Sequence, residues 1–269
     1  MMPMTKLAMH TTTKFSVTKL STPPILSTSI SFDLPSGLHI CLGKNGSGKT
    51  TLLKSLTAWF KQSKGQVLYN PNPSQNIDLL SLSPSAKSQI LSYLPQNPPF
   101  NPYQLAIDCV LQGRYPYQHQ ESRQQSIKHA SEMMKELSIE HLAHRQLKTL
   151  SGGERQKVLI ARLFTQNTPI LLIDEPLNHL DFEHQIDVLK TLQSLGSNQN
   201  KVILCVMHDL NLSLQYGDSF LLMDQLQLKF SGQIDALLSS NLFKEVFGHG
   251  WVMGTHPISH KPYLFFKHS

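Results

Sequence analysis

An α/β fold interrupted by a helical lobe is what this 269-residue chain predicts. Three observations carry that reading. A glycine-rich pattern, Gly43-Lys44-Asn45-Gly46-Ser47-Gly48-Lys49-Thr50, stands between an apolar run at 38–42 and a helical spacing of Leu after it. Continuous apolar runs at 170–173 and within 201–207 alternate with helical segments, as parallel strands buried on both faces do. Between them, from about residue 97 to 150, the periodicity is helical.

Taken in order, residues 15–17, 25–34 and 38–42 predict strands, broken by Pro23-Pro24 and Pro35-Ser36-Gly37. A helix over 49–60 ends near Lys64-Gly65, and 66–69 is a strand. Residues 70–85, rich in Asn, Pro and Ser, predict a loop. A short helix near 84–90 leads into a strand at 90–94, which Pro95-Gln96-Asn97-Pro98-Pro99 ends sharply. Helical spacing follows at 103–111. It returns at 122–137, with Ile127, Ala130, Met133, Met134 and Leu137 on one side. The alternation then resumes: helix 154–164, strand 170–173, helix 182–195, strand 201–207. Short strand and helix candidates lie at 220–223, 226–230, 234–238 and 242–247, and an apolar strand closes the chain. No internal repeat and no long low-complexity linker occurs.

The length suits one good core with a small second lobe, and 40% hydrophobic residues suit a globular protein. No apolar run approaches the ~20 residues that span a bilayer. Residues 1–14 lack the apolar core of a signal peptide, so a cytoplasmic location is expected. Cys41, Cys109 and Cys205 have no C-x-x-C spacing. Cys41 and Cys205 sit in strand-like apolar runs as small buried hydrophobes, and neither a disulfide nor a zinc site is expected. The net charge of +6 is scattered among only 16% charged residues, with no Lys/Arg block. That is a solvated surface rather than a nucleic-acid groove. Thirteen dispersed histidines are in the main surface or packing residues.

The chemistry starts at the glycine-rich loop. Glycines let backbone N–H groups turn inward as an anion nest, and the following helix adds its N-terminal dipole. Lys49 would reach the β- and γ-phosphates of a nucleotide, and the Thr50 hydroxyl would ligate Mg²⁺. Gly43, Lys44, Asn45, Gly46, Ser47, Gly48, Lys49, Thr50 and Thr51 are thus the candidate nucleotide contacts. Asp174 and Glu175 end the apolar run at 170–173, where ligands bind in open α/β sheets. Asp174 would hold Mg²⁺ through water, and Glu175 would polarise a water in line with the γ-phosphate as general base. At Leu150-Ser151-Gly152-Gly153-Glu154-Arg155-Gln156, two glycines and a serine precede a helix. Ser151 with Glu154 also reads as a capping box, and a capped helix start is compatible with an anion site.

These motifs together resemble the nucleotide-binding subunit of an ATP-binding cassette (ABC) transporter, over nearly the whole chain. The resemblance rests on the phosphate loop 43–50, Gln96 after Tyr93-Leu94-Pro95, the signature at 150–156, the acidic strand 170–175, Asn178-His179-Leu180-Asp181, and His208. It implies one domain over 1–269 with a RecA-like phosphate-loop core (1–96 and 151–269), an inserted α-helical subdomain (97–150) and a small antiparallel β part. It also implies roles. Gln96 resembles the glutamine that touches Mg²⁺ and the attacking water. Asp181 resembles the aspartate that crosses the dimer interface. His208, which alone would pass for a packing histidine, resembles the switch histidine on the γ-phosphate. Ser151, Gly152 and Gly153 resemble the signature that binds ATP held by the other copy of a head-to-tail dimer. ATP and Mg²⁺ are then the cofactors, a second copy and membrane permease subunits the partners, and the cytoplasmic face of the inner membrane the location.

Two departures from the family stand out. The aromatic that stacks on adenine would fall near Leu20, where there is no Tyr or Phe. Apolar contact is expected to replace it, with Phe15 as the available aromatic. Leu177 stands where the family often has Thr, with little expected consequence. A finer resemblance concerns Leu111-Gln112-Gly113-Arg114-Tyr115-Pro116-Tyr117, His208-Asp209-Leu210-Asn211-Leu212-Ser213, and Phe247-Gly248 with His256-Pro257-Ile258-Ser259. These are similar to importers of iron–siderophore, haem and cobalamin, in which a periplasmic binding protein feeds a permease and residues 97–117 would receive its coupling helix. The alternatives are a soluble ABC-type ATPase of nucleic acid or ribosomes, and a regulatory module without turnover. The first usually has paired cassettes or long coiled coils in one chain. The second is disfavoured by the presence of Lys49, Asp174, Glu175 and His208.

Overall fold

The computed structural model describes residues 15–72 and 74–267. The 1–14 stretch read above as lacking a signal peptide lies outside the described residues.

The chain begins with β1 (Phe15–Thr22), β2 (Leu26–Leu34) and β3 (Gly37–Leu42), then α1 (Lys49–Leu56), β4 (Lys64–Asn72), β5 (Gln75–Asp78), α2 (Pro84–Ser88) and β6 (Leu91–Leu94). Helices follow: α3 (Ala106–Leu111), a 3-10 turn (Gln112–Tyr117), α4 (Arg123–Glu136) and α5 (Gly152–Thr165). The alternating part comprises β7 (Ile170–Asp174), α6 (Phe182–Asn198), β8 (Val202–Val206), α7 (Leu210–Tyr216), β9 (Ser219–Asp224) and β10 (Gln227–Gly232). The chain closes with α8 (Ile234–Ser239), α9 (Leu242–Phe247) and a β11–β12 hairpin (Trp251–Thr255, Pro262–Phe266).

The strands form a six-stranded sheet in the order β10-β9-β3-β8-β7-β6, a four-stranded sheet in the order β2-β1-β4-β5, and the terminal hairpin. In the larger sheet β6, β7, β8, β3 and β9 run parallel and β10 returns antiparallel. The four-stranded sheet is antiparallel throughout. This is the α/β phosphate-loop fold with a helical insertion and an antiparallel β part.

Strand side chains alternate between faces with period two, and that alternation builds two apolar cores. Leu171 and Ile173 of β7 and Ile203 and Cys205 of β8 share one cluster with Leu159 and Leu163 of α5 and Leu189 and Leu192 of α6. Ile170, Leu172, Val202, Leu204 and Val206 point the other way, onto α1 and the antiparallel sheet. Both faces being apolar, β7 and β8 read as unbroken hydrophobic runs. The helical insertion has no core of its own: Ala106, Cys109, Ala130 and Met134 join the α5–α6 cluster.

Several boundaries differ from expectation. The first helix stops at Leu56 rather than 60, because Ala58 turns left-handed at φ 56° directly after the Thr57 cap. The expected loop over 70–85 holds the end of β4 and all of β5, where backbone pairing overrides an Asn/Pro-rich composition. Ile127 leaves the predicted buried stripe and is exposed, while Ala130, Met134 and Leu137 are buried. Helix α7 carries no strong periodic signal, and Asp209 starts it by accepting the Leu212 N–H at 2.8 Å.

Cys41, Cys109 and Cys205 are buried free thiols, and burial pushes Cys41 up to about 12. His39 is a packing histidine. Its Nε2 donates to the Pro35 carbonyl at 2.7 Å, so its Nδ1 accepts from the Ser219 hydroxyl. Burial lowers its pKa. No helix among the described residues is long and apolar enough to cross a membrane.

Candidate nucleotide site

The strands β3, β6, β7 and β8 all deliver their C-terminal ends to one edge of the large sheet, and the predicted residues gather there. Gly43 leaves β3 at φ 152°, where an added Cβ would lie 2.3 Å from the Met223 carbonyl oxygen. Only glycine fits so close a backbone approach. The loop then turns into α1, whose first residue is Lys49. Asn45, Gly46, Ser47, Gly48, Lys49, Thr50 and Thr51 line a cavity of about 520 Å³ with Gln96, Glu175, His208 and Leu226. Lys44 is exposed beside it.

Lys49 is buried, and its Nζ donates to the carbonyls of Gly43 (2.8 Å) and Lys44 (3.0 Å). An ammonium has three protons, so one remains for an anion in the cavity. Burial lowers the Lys49 pKa, and the Glu175 and Asp174 charges counter that.

Asp174, the last residue of β7, is 1% exposed, and both its carboxylate oxygens are buried without a hydrogen bond of ordinary geometry. Burial raises its pKa, and the Thr50 hydroxyl beside it holds the rise down. A buried carboxylate left this way is costly unless a cation meets it. Asp174 and Thr50 supply oxygen donors of the kind hard cations take. No cluster of three or more His, Cys, Asp or Glu able to hold a metal occurs among the described residues. A cation here would therefore complete its shell with phosphate and water, as Mg²⁺ does.

Glu175 follows at φ 55°, and that left-handed turn swings its carboxylate into the cavity. Oε2 accepts from Gln96 Nε2 and Asn178 Nδ2, each at 2.8 Å, and Oε1 is in hydrogen-bond contact with His208 Nε2. Burial alone would raise the carboxyl, but the bonds from His208 and Asn178 outweigh it and hold the pKa below the ordinary value. The group is thus kept ionised. Two oxygens offer about four acceptor positions, so one beside His208 is left for water.

The second predicted group stands apart. Ser151 caps α5: its hydroxyl accepts the Glu154 N–H at 3.2 Å while Glu154 Oε2 accepts the Ser151 N–H at 2.8 Å. The capping box is therefore formed, and the Ser151 N–H holds the Glu154 carboxyl below its usual range. Asp181 caps α6 through the His184 N–H at 3.0 Å and pairs with His184 Nδ1 at 2.7 Å. Ser151, Gly152, Gly153 and Asp181 line a cleft of about 470 Å³ with His141, Lys157 and His179. This cleft shares no residue with the phosphate-loop cavity.

Adenine contact is expected from the sequence near Leu20, with Phe15 as the available aromatic. Phe15 and Leu20 are fully buried within β1 and present no surface to the cavity. Two residues had no role in the sequence reading: Asn178, which bonds Glu175 without lining the cavity, and Leu226, which lines it. Asn178 was visible only as part of a motif; its place three residues after Glu175, across one turn, is the signal for its bond. Leu226 has no sequence signal, since its position follows from the β9–β10 hairpin.

Comparison with known proteins agrees with this fold. The family model for the ABC transporter matches residues 27–178, more than half of the chain. The achromobactin transport ATP-binding protein CbrD of Dickeya dadantii is 34% identical over 87% of this chain and 86% of its own length. The petrobactin import ATP-binding protein FpuD of Bacillus anthracis is 31% identical over 88% and 86%. The hemin import ATP-binding protein HmuV of Hahella chejuensis is 32% identical over 92% and 96%. Among solved structures, a metal-chelate type ABC transporter in an inward-facing conformation superposes with TM-score 0.78 at 24% identity, over 95% of this chain and 98% of that one. A dimeric cassette, MJ0796, bound to ADP and Pi in a post-hydrolysis state, superposes with TM-score 0.71 at 22% identity, over 82% and 98%. With a family match through the phosphate loop and acidic strand, and relatives above 30% identity along most of its length, this chain belongs to the ABC transporter family.

Proposed function

We propose that this protein is the ATP-hydrolysing subunit of an importer for a metal chelate of the iron–siderophore, haem or cobalamin type. The observation that carries the catalytic half is Glu175, kept ionised by three donors beside the phosphate loop. The names of the relatives support the transport half: three of them concern import or transport of achromobactin, petrobactin and hemin.

In this reading the loop amides and Lys49 hold the triphosphate. Thr50, Asp174 and Gln96 would hold Mg²⁺, which neutralises charge developing on the phosphates. Glu175 takes a proton from the attacking water, and the His208 Nε2–H, which also bonds Glu175, would be shared with the γ-phosphate. Ser151, Gly152, Gly153 and Asp181 line a cleft remote from the phosphate loop. A cleft of that kind suits ATP carried by a second copy, so two copies would enclose two nucleotides. The helical subdomain over 97–150 would meet the permease, and a periplasmic binding protein would supply the chelate. The protein would then work as a peripheral subunit on the cytoplasmic face of the membrane.

Asn178 supplies a pH test. It donates to the ionised form of Glu175, so it lowers the pKa, and its removal raises it. Asn178→Ala is expected to move the acidic limb of the ATPase pH profile to higher pH, with little change on the plateau. A limb that stays in place would remove Asn178 from this role.

The transport half is tested by trapping tagged Glu175→Gln with ATP and solubilising membranes of the native host. Co-purification of a polytopic permease is expected. Recovery of ribosomes or DNA with no membrane protein would leave the ATP chemistry standing and overturn the transport reading.

A further inference from the structure

We propose that Leu226 is the apolar wall on which the nucleoside of the bound nucleotide packs, an inference that rests on the nucleotide reading of the phosphate loop. Of the described residues lining that cavity, Leu226 is the only one with an apolar side chain. The residue sits at the tip of the β9–β10 hairpin, 36% exposed.

The order of the sheet sets the direction of the ligand. Gln96, Glu175 and His208 follow β6, β7 and β8, which all lie on one side of β3. The hairpin carrying Leu226 lies on the other side. A triphosphate whose γ-phosphate faces Glu175 must therefore run its nucleoside towards β9 and β10. With Phe15 and Leu20 sealed in the core, Leu226 is the apolar surface on that side of the cavity.

The hairpin is also built at a cost. Asp224 pairs with Gln227, so the loop is the two residues Gln225 and Leu226, with φ of 48° and 62°. Such two-residue turns favour Asn-Gly, because both positions need the left-handed region. A leucine there is strained. Its placement is nevertheless fixed: the Leu226 N–H donates to the Ser47 carbonyl at 3.0 Å. A Cβ added at Gly48 would lie 2.9 Å from Leu226 Cδ2. The side chain thus covers the start of α1, next to where the phosphates enter.

The test compares Leu226→Asn and Leu226→Met by calorimetric titration with Mg·ATP and with Mg·tripolyphosphate, which has the phosphates but no nucleoside. Asparagine tolerates the left-handed turn, so the hairpin is kept while the apolar surface is lost. Leu226→Asn is expected to weaken ATP by ~10-fold, the scale of losing contact with one apolar side chain. Tripolyphosphate affinity should be unchanged, as should ATP affinity in Leu226→Met. Unchanged ATP binding in Leu226→Asn would overturn the proposal. An equal loss for both ligands would also overturn it, by making Leu226 a brace of the phosphate loop. If wild-type protein bound neither ligand, the phosphate-loop reading itself would fall, and this proposal with it.

Discussion

Glu175→Gln is expected to reduce steady-state ATP hydrolysis by ~10²- to 10⁴-fold, the usual contribution of a positioned general base, while leaving ATP binding intact. The amide has nearly the same shape: its one oxygen still accepts from Gln96 and Asn178, and its NH2 can donate to a neutral ring nitrogen of His208. What disappears is the ionised oxygen beside His208, the position left for water. The phosphate loop does not depend on that charge, since Lys49 is held by the Gly43 and Lys44 carbonyls. Turnover is measured by phosphate release and binding by titration with a fluorescent ATP analogue. Wild-type turnover in this variant would remove Glu175 from the role of base.

The second large effect falls on binding. Lys49→Ala is expected to raise the dissociation constant for ATP by ~100-fold or more. The one ammonium proton left free would make a charge-assisted contact to the phosphates, worth ~1.5–3 kcal/mol, and its full charge would attract both phosphates beside it. The substitution also frees the Gly43 and Lys44 carbonyls that Lys49 ties together, so the loop loses its internal brace. Circular dichroism and thermal melting separate loss of the site from loss of the fold. Wild-type affinity in folded Lys49→Ala would contradict the placement of the triphosphate on this loop.

The parts of this molecule legible in its sequence are those where backbone geometry dictates residue type. Gly43 has to be glycine because Met223 leaves no room for a Cβ. The strands β7 and β8 read as apolar runs because both of their faces are covered. Asp174 and Glu175 stand out because they end such a run. What stayed hidden depends on distant segments meeting. The antiparallel strand β5 is made by pairing with β4, and its composition alone reads as a loop. The burial of Phe15 and Leu20 depends on the packing of β1 between β2 and β4. Leu226 reaches the cavity because β9 pairs beside β3, about 180 residues away in the chain, a relation no local pattern carries. Near Leu20, the place expected for adenine contact, β1 leaves no apolar surface exposed, whereas Leu226, which lines the cavity, comes from the other end of the chain.

The central claim is that ATP binds between two copies of this chain, with Ser151, Gly152, Gly153 and Asp181 of each facing the phosphate loop of the other. The most direct measurement is the solution mass of purified Glu175→Gln, by light scattering after gel filtration, with and without saturating Mg·ATP. The account predicts a mass near that of one chain without nucleotide and twice that with ATP. It also predicts that the shift is lost when Ser151 is replaced by a bulky Phe. A single-chain mass at saturating ATP, with binding established on the same sample, would contradict the composite site.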